Sequence, residues 1–153
     1  MLVDVGMLMM PYCAKITFDI DENEDWLEGL DTVNTFFVDE DIYPTGPIIF
    51  KRETVGLGEV EYKAFIALNQ PIQDVPDLNI EYVDKLEVAP TLIEKCFDEE
   101  ELELVYKKIE FIAQENGFHL KDQPYYHVMI DYPGGKAFEI HAEIESIEGT
   151  DDE

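Results

Sequence analysis

Positive charge is what this sequence has least of. Lys and Arg together number 10 against 36 Asp and Glu, which leaves a formal net charge of −26. Such a chain repels phosphate backbones and anionic lipid surfaces, so neither direct nucleic-acid binding nor a membrane partner is expected. Cysteine is almost as scarce. Cys13 and Cys96 stand 83 positions apart, in no CxxC or Cys/His cluster, so no zinc site or disulfide framework is indicated and both read as reduced thiols in or near the core. Cys96 is also a poor nucleophile, because Glu94 and the carboxylates of 98–101 oppose a thiolate. No apolar run approaches the ~20 residues of a membrane span, and no Lys or Arg precedes Lys15 to make the charged start of a signal peptide. A cytoplasmic protein is expected. No GxSxG, Walker, dinucleotide or EF-hand pattern occurs, and Gly134-Gly135-Lys136 lacks the spacing of a phosphate loop, so metal and cofactor are both expected to be none.

What is present is apolar material in quantity. With 153 residues, 46% of them hydrophobic and 12% aromatic, the chain is too apolar for a disordered acidic tail and suits one compact domain, monomeric or a small homo-oligomer. Ile16, Phe18 and Ile20 alternate with Thr17 and Asp19, the period of a half-buried strand, whereas Met7 to Met10 fits either an edge strand or a frayed leader. After the acidic run 21–25, Trp26, Leu30, Val33 and Phe37 recur at helical spacing, with Trp26 in the core, and Tyr43-Pro44-Thr45-Gly46-Pro47 ends that helix. Ile48 to Glu53 and Val60 to Leu68 read as a hairpin around Gly56-Leu57-Gly58.

The same order then returns. Strand-like residues from Leu86 to Phe97 lead into Asp98-Glu99-Glu100-Glu101, a capping box in which Asp98 accepts from the amide of Glu101. A helix follows with Leu102, Val105, Ile109 and Ile112 inward, ending at Asn116-Gly117. Tyr125 to Tyr132 and Phe138 to Glu145 form a second hairpin, with Phe138, Ile140, Ala142 and Ile144 alternating against Glu139, His141, Glu143 and Glu145. Pro47 to Gly58 and Pro124 to Gly135 both span 11 positions, and the acidic runs starting at Asp21 and Asp98 each lie 26 before their proline. We read an internal duplication: residues 12–72 as a first repeat, 73–85 as a linker, 86–147 as a second repeat and 148–153 as a disordered acidic tail. The expected fold is α+β, a duplicated βαββ with pseudo-twofold symmetry, its antiparallel sheet carrying two helices on one face and a ligand cleft on the other.

Gly46-Pro47-Ile48-Ile49-Phe50, Ala67-Leu68-Asn69-Gln70-Pro71-Ile72, Val88-Ala89-Pro90-Thr91-Leu92-Ile93, Glu115-Asn116-Gly117-Phe118 and Pro124-Tyr125-Tyr126 resemble the GyrI-like domain, also called the SOUL-type or bacterial effector-binding domain. The resemblance spans about residues 12 to 147. It implies a duplicated βαββ fold whose central cleft binds amphipathic or cationic organic molecules. Relatives include effector domains fused to DNA-binding helices, gyrase inhibitors and hydrolases of strained electrophiles. No helix-turn-helix fits in this chain, so a one-component regulator is not expected, and His127 stands near the position where relatives often carry a cleft-facing Glu. The chain also resembles small acidic Firmicutes proteins encoded near type VII secretion clusters.

Two sets of residues are candidates for chemistry. Tyr62, Phe65, Tyr126, His127 and His141 lie on the hairpins, where aromatic faces would hold flat or cationic ligands by stacking and cation–π contact, or would instead plug the sheet or a dimer interface. His127 and His141 sit on the two strands of the second hairpin. Were they to face each other beside Glu139, they could share and activate a water; otherwise they are ordinary strand residues. His119 reads as solvated. Three functions remain open: a binding module for an amphipathic or cationic organic ligand between the repeats, an acidic immunity-type protein docking a basic partner, and a hydrolase using His127, His141 and Glu139. A non-enzymatic role fits better, because no secure catalytic acid is present.

Overall fold

The computed structural model describes residues 3–21 and 26–148. The acidic run 22–25 and the tail 149–153 lie outside the described residues. The chain is α+β and its sheet pairings are antiparallel. It divides into two compact units, one of Met9–Leu86 and one of Glu87–Glu153 together with Met1–Leu8.

In the unit of residues 9–86, the alternating segment belongs to a long strand, β1 (Val5–Asp21), and Met7–Met10 are strand rather than leader. The helical stripe forms α1 (Leu27–Asp39), burying Leu30, Val33 and Phe37. The hairpin is β2 (Ile49–Gly56) and β3 (Glu59–Ala67), with Gly58 at φ 71°, a left-handed position that a β-branched residue would resist. β3 lies between β1 and β2, pairing Phe18 with Tyr62 and Tyr62 with Arg52. Paired residues share a face, so Phe18, Tyr62 and Phe50 stand on the side where Trp26 packs, its ring 5.0 Å from Tyr62 and stacked at 13°. Helix and sheet come very close here: a Cβ built on Gly29 would sit 2.6 Å from the Phe18 ring. Cys13 is wholly buried and unpaired, and burial pushes its thiol up to about 11.

α1 ends without a glycine. Asp41 takes the left-handed conformation at φ 59°, donating from its amide to Val38, while Ile42 closes the end by donating to Phe37. A non-glycine residue at this positive φ carries a backbone cost, and a carboxylate at a helix C-terminus adds to the negative pole of the helix. Asp41→Gly is therefore expected to stabilise the fold by about 0.5–1 kcal/mol, read as a raised urea midpoint at unchanged slope.

The stretch 73–85 differs from the linker expected. It holds a 3-10 turn at Pro76–Leu78, and β4 already begins at Ile80, running to Cys96. Two contacts start the strand early: Asp74 Oδ1 accepts from the Tyr82 amide at 2.8 Å, and Val75 and Ile80 exchange backbone bonds. The punctuation was visible in Asp74-Val75-Pro76, but Asn79 in a left-handed turn returns the chain at once.

The second unit repeats the pairing scheme with different residues. α2 (Leu102–Glu115) buries Leu102, Ile109, Ile112 and Ala113, with Val105 only half-buried. Its entry is a single 3-10 turn, so Asp98 accepts from the amide of Glu100 at 3.0 Å rather than from Glu101 as the capping-box spacing implied. β6 (Tyr126–Tyr132) and β7 (Gly135–Ile147) form the hairpin, and β7 lies between β6 and β4 as β3 lies between β2 and β1. A short strand that the sequence did not announce, β5 (Phe118–Leu120), pairs with the end of β7. It includes His119, which is exposed and 3.7 Å from Glu148. Phe138, Ile140, Ala142 and Ile144 are buried as their alternation predicts. Cys96 is buried too, its Sγ donating to the Asp98 carbonyl at 3.0 Å.

Candidate functional site

The register of the second hairpin decides the chemistry of its two histidines. Tyr126 pairs with His141 and His127 with Ile140. Side chains alternate along a strand, so His127 and His141 point to opposite faces of the sheet and cannot share a water. The paired imidazoles expected from the sequence are therefore not formed, because the true register is one residue away from the one that pairing requires.

His127 lies on the α2 side. It is 2% exposed, with Nε2 2.5 Å from the Tyr106 hydroxyl of α2 and its ring edge-on to that of Tyr106. Tyr106 in turn packs edge-on against Tyr125, whose hydroxyl is pushed up by burial and then by the charge of Glu110. Glu94 shares this face, since it pairs with Ile140, and Lys108 reaches it at 2.7 Å. His127 thus belongs to the helix-packed side and is closed to solvent. Tyr62 is in the same position in its own unit, stacked on Trp26, so two of the five expected ligand residues are taken up by helix packing.

The opposite face of the second unit carries a connected polar row. His141 is 1% exposed, and both ring nitrogens are engaged: Nδ1 lies 2.8 Å from the hydroxyl of Thr91, itself fully buried, and Nε2 lies 2.7 Å from Glu139 Oε1. A carboxylate only accepts, so Nε2–H donates to Glu139, and in the neutral ring Nδ1 accepts from Thr91. With no nitrogen open to water, His141 cannot act as a general base in this arrangement. Glu143, two residues along β7 and on the same face, accepts from Lys121 Nζ and from Gln123 Nε2, each at 2.8 Å. Tyr126 stands on this face opposite His141, and burial, then the charge of Glu143, push its hydroxyl up. Ile93 completes the apolar part, and a Cβ built on Gly6 of β1 would meet its side chain at 2.8 Å.

Glu139 is the group in this row with charge to spare. Its side chain is 32% exposed and accepts from one imidazole N–H, whereas Glu143 has both oxygens occupied. Lys95 pairs with Glu139 in the register and is exposed, and no ion pair joins the two among the described residues. Phe65, the remaining expected ligand residue, is 5% exposed on the face of the other unit that points away from Trp26.

Of the residues proposed from sequence, the structure brings together Tyr126, His141 and Glu139. Thr91, Glu143, Lys121 and Gln123 were missed as partners. Glu143 shared the parity of His141 and could have been found, but Thr91 enters only through the pairing of β4 with β7. No group of three or more His, Cys, Asp or Glu among the described residues is arranged to hold a metal ion.

Comparison with solved structures gives the fold a context. The chain superimposes on EcmrR in its complex with DNA and RNA polymerase open complex with TM-score 0.68 at 13% identity, covering 95% of this chain and 59% of that one. It thus spans little more than half the length of that relative. The separate EcmrR C-terminal domain aligns with TM-score 0.62 at 13% identity, over 96% of this chain and 100% of the domain. A structure described as a hydrolase from Listeria innocua aligns with TM-score 0.58 at 8% identity, over 93% and 92% of the two chains. At these identities the likeness establishes the shared fold. No curated protein matches the sequence. The profile of one family, Domain of unknown function (DUF5085), matches residues 8–148, nearly the whole chain, and the protein belongs to that family.

Proposed function

We propose that this protein is a binding module of GyrI-like plan that takes an amphipathic or cationic organic molecule on the face of the second unit bearing Tyr126, His141, Glu139 and Glu143. The observation that carries the reading is Glu139, part-exposed and held by a buried imidazole that is itself held by Thr91. An anchored, half-exposed carboxylate offers an organic cation a fixed counter-charge beside a largely buried strand face. The positions of the two histidines weigh against the hydrolase reading, His127 being closed off under α2 and His141 having both nitrogens engaged.

Titration with hydrophobic cations such as methyltriphenylphosphonium and benzyltrialkylammonium ions, followed by calorimetry and thermal shift, tests this reading. Glu139→Gln is expected to weaken binding by about tenfold or more, with little change in melting temperature. Absence of a shift across the cations, or equal affinity in Glu139→Gln, would sink the reading.

A further inference from the structure

The unit of residues 9–86 carries a groove that plays no part in the site above. It has a volume of about 530 Å³ and lies between the C-terminal end of α1 and the segment that follows β3. Its floor is apolar, with Phe36, Ile42, Ile72 and Val75, and its rim is acidic, with Glu40 on one side and Asp74 on the other. The last turn of α1 contains no basic residue, so the negative pole of the helix adds to those carboxylates unopposed.

The wall of the groove is irregular backbone held at both ends. At one end Asn69 donates its amide to Tyr43, and Tyr43 donates its own to Asn69 Oδ1 at 2.9 Å. At the other, Asp74 accepts from Tyr82, and Val75 bonds with Ile80. Between these pins, Pro71, Ile72 and Gln73 form no hydrogen bond among the described residues, so the Ile72 and Gln73 amides and the carbonyls of all three point to no protein partner. This is a short length of backbone with open donors and acceptors beside apolar side chains, to which an extended segment could add.

We propose that this groove docks an extended segment of a partner protein in which aliphatic side chains alternate with Lys or Arg. Alternation sends the aliphatic residues to the floor and the cations to Glu40 and Asp74, while the segment's backbone pairs with 71–73. A free organic cation would satisfy the rim and floor and leave that backbone unpaired, which is why a peptide is favoured. The net charge of −26 would speed the approach of such a partner and make it sensitive to salt.

The test uses the full chain and a fluorescein-labelled hexapeptide of alternating lysine and leucine, read by anisotropy at about 20 mM and about 300 mM salt. Saturable binding is expected, with a lysine–serine hexapeptide weaker by about tenfold or more. Ile72→Asp should weaken binding by about tenfold and Glu40→Lys by about fivefold, while Glu145→Lys, on the other unit, should stay within about twofold. Gln73→Pro removes one of the backbone donors and provides a second variant should Ile72→Asp fold poorly. No binding of the lysine–leucine peptide, equal binding of the two peptides, or equal losses from Glu145→Lys and Glu40→Lys would each overturn the proposal. Because the cation site lies on the other unit and is probed by Glu139→Gln, the two readings fail independently.

Discussion

Trp26→Ala is expected to remove about 3–5 kcal/mol of stability and lower the melting temperature by about 10 °C. Trp26 stands at the residue before α1 and is 8% exposed. Its ring lies 6.0 Å from Phe18, 5.1 Å from Phe50 and 5.0 Å from Tyr62, so one side chain joins β1, β2 and β3 to the start of the helix. Truncation leaves a void the neighbours cannot close, because Gly29 already brings the helix backbone against the Phe18 ring. Trp26→Phe should cost clearly less, since it keeps a ring in the cluster. The chain has one tryptophan, so far-UV circular dichroism in urea is the readout for both variants. A loss below about 1 kcal/mol for Trp26→Ala would show that the cluster is dispensable.

The second large effect concerns the buried polar row. His141→Leu is expected to cost about 2–4 kcal/mol, although leucine is apolar and of similar bulk, because the buried Thr91 hydroxyl is left with no partner. Glu139 loses its imidazole as well, but at 32% exposure water takes over that bond. Thr91→Val strands Nδ1 in the same way. The double variant should therefore cost less than the two single ones together, by a coupling of about 1–2 kcal/mol. Additive losses in that cycle would mean that the Thr91–His141 bond contributes nothing specific. His141→Leu should also weaken cation binding through Glu139, which it positions, and the double variant should not restore that binding.

Much of this fold is legible in the sequence because its signals are local. The period of two in 138–145, the helical stripe through Leu30, Val33 and Phe37, and Gly117 at φ 71° after α2 each follow from neighbouring residues alone. The matching spacings of the two proline–glycine hairpins likewise announce two units built on one plan, and in each the second hairpin strand lies between the first and a long earlier strand, β3 between β2 and β1 and β7 between β6 and β4.

Less of the site could be read that way. Tyr126, His141 and Glu139 were singled out as candidates, but their grouping with Thr91 depends on two strand registers, and a register is a long-range quantity. Turn residues locate a hairpin to within a residue or so, whereas a shift of one residue exchanges its faces. That single step sends His127 beneath α2 to Tyr106 and leaves His141 with Thr91 and Glu139. The sequence by itself determined most of the strand and helix segments and which residues alternate, though neither β5 nor the early start of β4. Tertiary structure decided which face each alternating set received, because only packing against α1 and α2 distinguishes one side of a strand from the other.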